Sequence, residues 1–162
     1  MKYFTLQEFT KSDTAMRLGI DNTPSEYQKN NVIELVDNLL DPLREAWGVY
    51  CQRYGLGTPA IKVTSGIRSE KLNEAVGGSK TSAHYHGLAA DLVPCNGQLA
   101  HFKKFCVEWL LDKDFDQIIS EDEDSNCVPR WIHIGYKNGH GKQREQFLYM
   151  KNGKYYTLNE LI

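Results

Sequence analysis

The sequence predicts one α+β domain over residues 1–162, with a small, mainly antiparallel sheet and a kinked N-terminal helix packed behind it. Three observations point there. Helical signals come early and strand signals late, without the regular alternation that builds a doubly wound sheet. Val32, Leu35, Val36, Leu39, Leu40, Leu43, Ala46 and Trp47 recur at three- and four-residue steps, a helical stripe. Lys151-Asn152-Gly153-Lys154 separates two apolar segments, and Asn-Gly is the strongest short hairpin signal.

The elements follow in order. Residues 1–22 are a lead-in with one short helix, 5–9. Thr23-Pro24-Ser25-Glu26 reads as a helix start, with Thr23 as cap, Pro24 in the first helical position and Glu26 completing a capping box. Pro42 should kink or divide that helix near Leu40, and Gly55-Leu56-Gly57-Thr58-Pro59 ends it. A strand is expected over 60–64, a short helix over 69–76 ended by Gly77-Gly78, and a strand over 89–93. The amphipathic run 98–111 reads as a helix, and 115–120 and 131–136 as strands. The hairpin strands are 147–150 and 155–158.

Composition excludes several classes. A chain of 162 residues suits a single domain and buries enough surface to fold without disulfides or structural metal. With 19 Lys+Arg against 21 Asp+Glu it lacks the basic excess of a dedicated nucleic-acid binder. No apolar run is long enough to span a membrane, and the N-terminal decapeptide has no apolar stretch of a secretory signal. Cytoplasmic accumulation of a monomer is therefore expected. Cys51, Cys95, Cys106 and Cys127 are irregularly spaced, with no C-x-x-C pair, and are expected to be free thiols.

Chemistry concentrates in Ser82-Ala83-His84-Tyr85-His86-Gly87-Leu88-Ala89-Ala90-Asp91 and, downstream, in Trp131-Ile132-His133-Ile134. An aspartate within Ala-Ala-Asp-Leu-Val needs a cation, a donor network or a metal, because an unpaired buried charge is costly. His133 between two isoleucines poses a weaker form of the same problem. Imidazole and carboxylate are suitable zinc ligands, and catalytic zinc usually keeps three protein ligands. Strand parity puts Asp91 on the face of Ala89 and Val93, and His133 on the face of Trp131. His84, Asp91 and His133 can thus form a Zn2+ site, although a buried His–Asp pair satisfies the same reasoning. His86, His101 and His140 are expected to be solvated, and the absence of H-E-x-x-H rules out a helix-borne zincin site.

Ser65-Gly66-Ile67-Arg68-Ser69, Gly78-x-x-x-Ser82-x-His84-x-x-Gly87-x-Ala89-x-Asp91, Phe115-Asp116-Gln117-Ile118-Ile119 and Trp131-Ile132-His133-Ile134 together resemble the zinc D-alanyl-D-alanine carboxypeptidase family. That family shares its fold with the zinc-bearing domain of Hedgehog proteins. The lead-in segments Tyr3-Phe4-Thr5-Leu6-x-Glu8-Phe9 and Gly19-Ile20-Asp21-Asn22-Thr23-Pro24 are similar to its small single-domain branch, common in phages and prophages. The resemblance covers roughly residues 3–136. It implies that His84, Asp91 and His133 are the zinc ligands, that Arg68 binds substrate and supports the transition state, and that Ser82 contacts substrate or orients a ligand. The implied substrate is a peptidoglycan stem or cross-bridge peptide, cut by a carboxypeptidase or endopeptidase and reached after assisted release from the cytoplasm.

One departure stands out. Relatives often carry Glu or Asp three residues before the last histidine, where this chain has Arg130, which cannot accept a proton. Gln117, Ile119 and Glu121 share one side of their strand, and the phage-type branch often has Glu just after its Phe-Asp-Gln strand. Glu121 is therefore the expected general base, with Asp122, Glu123 and Asp124 as substitutes, although acidic runs are usually solvated. Two rivals follow: a zinc-holding pseudo-peptidase that only binds, and a structural phage component.

Overall fold

The computed structural model describes residues 1–158. Helices α1 (Leu6–Thr10), α2 (Asp13–Leu18), α3 (Glu26–Leu35) and α4 (Asp41–Tyr54) precede strand β1 (Ile61–Ser65) and helix α5 (Glu70–Ala75). Then come β2 (Ala89–Pro94), α6 (Leu99–Leu110), β3 (Gln117–Glu121), β4 (Trp131–Gly135), β5 (Gln146–Lys151) and β6 (Lys154–Thr157). The hairpin strands therefore run one residue longer than expected at three of their four ends and one residue shorter at the last.

The helix start differs from the expected one. Thr23 turns its hydroxyl and N–H to Asp21 Oδ1, at 2.6 and 2.9 Å, and so is not free to cap. Ser25 caps instead, with Gln28 answering from three residues on. Helix α2 was not expected. Its six residues bury only Ala15, too few for a periodic signal, but Ser12 caps it and Gly19 ends it at φ 65°. The Pro42 expectation holds. Between α3 and α4 the chain forms a π-turn over Val36–Leu40, where the Asp41 N–H reaches back to Val36 O. Widening the turn there absorbs the donor that proline lacks, so a π segment divides the two α-helices while helical hydrogen bonding continues through it.

The six-stranded sheet has the order β1-β2-β4-β3-β5-β6. Its pairings are antiparallel except for β3 with β5, which is parallel, so the sheet is mixed rather than uniform. The β5–β6 turn has Asn152 at φ 52° and Gly153 at φ 75°, the two positive values a tight type I′ hairpin demands. Ala90, Leu92, Ile118, Ile132, Ile134 and Phe147 face the helices and join the core. Trp47 anchors it from α4, edge-on to Phe102 of α6 with ring centroids 5.0 Å apart. The alternate residues Asp91, Ile119, Glu121 and His133 belong to the other face, which lines a cleft.

Candidate functional site

Register brings the site together. Asp91 of β2 lies directly opposite His133 of β4, and Ile119 of β3 opposite His133 from the other side. His84 comes from the loop before β2 and is buried. His133 Nδ1 stands 3.0 Å from Asp91 Oδ1, His84 Nε2 stands 3.2 Å from His133 Nδ1, and His84 Nε2 stands 3.3 Å from Asp91 Oδ1. Those three atoms make a nearly equilateral triangle. A tetrahedral zinc with bonds of about 2.0–2.1 Å needs ligand atoms about 3.3 Å apart, so the donor set fits that ion.

The surroundings aim these ligands. His84 Nδ1 lies 2.8 Å from Gly66 O; donating its proton there leaves Nε2 as a lone pair facing the triangle. Gly66 is needed because a Cβ would lie 2.7 Å from Phe9 Cα and Phe9 O. The Ile67 N–H donates to Phe9 O at 2.7 Å, so helix α1 is pinned to the end of β1. Gly87, at φ 74°, lets the His84 loop pass within contact of Gln28 O. The buried Gln28 side chain donates to Arg68 O and Tyr85 O at 3.2 and 2.7 Å. Asn22 holds the same turn, donating to Ile67 O and accepting from the Ser69 N–H. The lead-in is therefore the scaffold of the site, a role that the periodicity of residues 1–22 did not reveal.

Burial by itself would raise the Asp91 carboxyl, but the His84 and His133 imidazoles outweigh it and hold Asp91 well below the usual carboxylate range. Glu121 shows the opposite balance. Burial pushes its carboxyl up and the Asp91 and Asp122 carboxylates add to this; His133 offsets part, leaving it at about 7. Burial also lowers the Arg68 guanidinium, against the pull of Asp91.

All six expected site residues, Arg68, Ser82, His84, Asp91, Glu121 and His133, line one cavity of about 380 Å³. The rest of the acidic run divides among other tasks. Asp122 pairs with Arg130, whose side chain is 74% exposed at the surface. Glu123 is buried and pairs with Lys103 while accepting from Ser120 Oγ at 2.7 Å. Asp124 accepts from the Asn126 and Val128 N–H groups. None of these three lines the cleft, so they do not substitute for Glu121. Glu121 and Glu123 are buried rather than solvated as most acidic runs are, and Glu121 is the last residue of β3, on the sheet face that lines the cleft.

The remaining histidines stay apart from the triangle. His86 and His101 are half-buried with Tyr27 and Tyr50 hydroxyls 3.1 Å from their Nδ1 atoms, and His140 is exposed. All four cysteines are free. Arg144 and Tyr155 complete the cleft wall and went unrecognised in the sequence, since neither sits in a motif. No helix among the described residues is long and apolar enough to cross a membrane.

Two comparisons complete the description. No curated protein matches the chain. The Peptidase M15 family model matches residues 2–134, and the chain belongs to that family, the zinc D-Ala-D-Ala carboxypeptidases that its motifs resemble.

Proposed function

We propose that this peptidase M15 chain is a zinc metallopeptidase that hydrolyses peptide bonds in peptidoglycan stems or cross-bridges, as a D-Ala-D-Ala carboxypeptidase or endopeptidase. The observation that carries the reading is the triangle of His84 Nε2, Asp91 Oδ1 and His133 Nδ1 at the wall of a cavity that also holds Glu121. Zinc held there supplies Lewis acidity toward the scissile carbonyl and the attacking water.

The chain's own residues do the remaining work. Glu121 takes the proton of the attacking water and delivers it to the leaving amine. Burial raises its carboxyl above that of a solvated glutamate, which makes it a stronger base for this transfer. Arg68 donates to the oxyanion that develops on the carbonyl, or to a substrate carboxylate. Its partly desolvated guanidinium makes that bond stronger than it would be in water. Ser82 supplies a hydroxyl to the peptide from the same wall. Arg130, the residue that favoured a non-hydrolytic zinc binder, lies outside the cleft and pairs with Asp122, so it does not occupy the space beside Glu121.

The two readings separate in one assay. Zinc-loaded protein should cleave stem peptides, His133→Ala should lose both metal and cleavage, and Glu121→Gln should keep metal while losing cleavage. Full activity in His133→Ala would overturn the proposal, and zinc without cleavage in the wild type would favour the binder.

A further inference from the structure

The family match ends at residue 134, but the cleft continues beyond it. Part of its wall comes from the segment between β4 and β5, where Arg144 sits in an unusual setting. Its Nε donates to Asp116 Oδ1 at 2.7 Å and its Nη2 to Asp116 Oδ2 at 2.8 Å, a two-pronged grip. Asp116 is 2% exposed, whereas the Arg144 side chain keeps 43% exposure and lines the cleft.

A guanidinium has five N–H donors, and this grip engages one edge of the fork. The Nη1–Nη2 edge is left for a second planar acceptor, and carboxylate is the acceptor that matches its geometry. The loop has other anchors besides this pair. The Glu145 and Gln146 N–H groups already bond Phe115 O and Asp116 O at 3.1 and 2.9 Å, and the Arg144 N–H bonds Asp116 Oδ1. Because Asp116 cancels its charge, Arg144 offers oriented donors at short range rather than a long-range field.

Its distance from the His133 ring has an upper bound. Asp116 Oδ2 and His133 Nε2 flank the space beside Gly135, at 3.9 and 3.8 Å from where a Cβ would sit. The gripped fork therefore stands within about three residue lengths of the His133 ring, at ~3.3–3.6 Å per residue.

We infer that Arg144 is a specificity-determining residue that recognises a substrate carboxylate, so that the cleft favours peptides with a free carboxylate within about three residues of the cleaved bond. This rests on the peptidase reading above and adds to any carboxylate that Arg68 engages.

The test uses zinc-loaded full-length protein and synthetic acyl-peptides cut at one common bond. At one, two or three residues from that bond, a carboxylate is left free or converted to its primary amide. At one of those positions the free acid should be cleaved with kcat/KM at least about tenfold higher than the amide. Arg144→Met and Arg144→Lys should both bring that ratio to within about threefold of one, with the amide peptide cleaved nearly as in wild type. Lysine keeps the charge toward Asp116 but lacks the fork. Because each ratio compares two substrates on one preparation, partial loss of folded protein cancels. A wild-type ratio near one at every position, or a ratio unchanged in both variants, overturns the inference and leaves the peptidase reading standing. Failure to cleave any peptide overturns both.

Discussion

His84 and Asp91 are buried, His133 is half-buried, and their ligand atoms stand close enough together to hold one metal ion. Removing one should therefore disable the metal site without dissolving the core. In His133→Ala, bound zinc measured by elemental analysis is expected to fall from about one per chain to none, with the circular dichroism of the fold retained. The proposed role of Glu121 as general base makes a different prediction, because it concerns the proton and not the ion. Glu121→Gln should retain zinc and lower kcat by roughly 10²–10⁴-fold, the usual size of a general-base contribution. Its titration also has a signature in stability. In the metal-free protein the folded carboxyl titrates at about 7 and the unfolded one at the ordinary glutamate value of 4.5. Between those values the folded state holds a proton that the unfolded state has lost, so this group's stabilisation is complete below 4.5 and disappears as pH rises through 7. Metal-free Glu121→Gln should accordingly lose this pH dependence, and its Tm should gain on the wild type most clearly at pH 8. An identical pH profile for the two proteins would contradict the assignment.

The lead-in helices show what local sequence could and could not announce. Pro42 was readable as a bend because its chemistry acts within one turn, and Asn152-Gly153 as a hairpin for the same reason. Parity along β2 and β4 correctly gave the facing of Asp91 and His133, since alternation is a property of each strand alone. The position of the helix cap was misread because Thr23 is diverted to Asp21, a competition between neighbours that residue preference does not encode. Helix α2 and the parallel pairing of β3 with β5 were missed because both depend on packing between distant segments. Arg144 was hidden likewise: its partner Asp116 is distant in sequence and buried, and no spacing rule links them. Gly66, quoted only as part of a motif, joins element and site. A Cβ there would meet Phe9 backbone atoms at 2.7 Å and displace the carbonyl that holds His84. Gly66→Ala is expected to cost about 1–3 kcal/mol in chemical denaturation, as overpacked interiors do, and to weaken zinc about 10–100-fold in a competition titration.

Across the molecule, the helices cover one face of the sheet and the other is left for chemistry. The core runs from Phe9 through Trp47 to Phe102 and Ile132 without including the triangle, so metal and fold are coupled but separable. Zinc at a thousand times its Kd would add about 4 kcal/mol by mass action. Chelation should thus lower Tm by about 8–16 °C while the far-ultraviolet spectrum at 25 °C stays unchanged. Unfolding on chelation would instead make the ion structural. Hydrolysis at the His84–Asp91–His133 site is best tested by mass spectrometry of soluble products from purified sacculi. Wild-type protein should release peptides cut at one defined bond, chelator should stop the release, and added zinc should restore it. Release that chelator leaves untouched, or no new peptide ends from the zinc-loaded protein, would contradict the account.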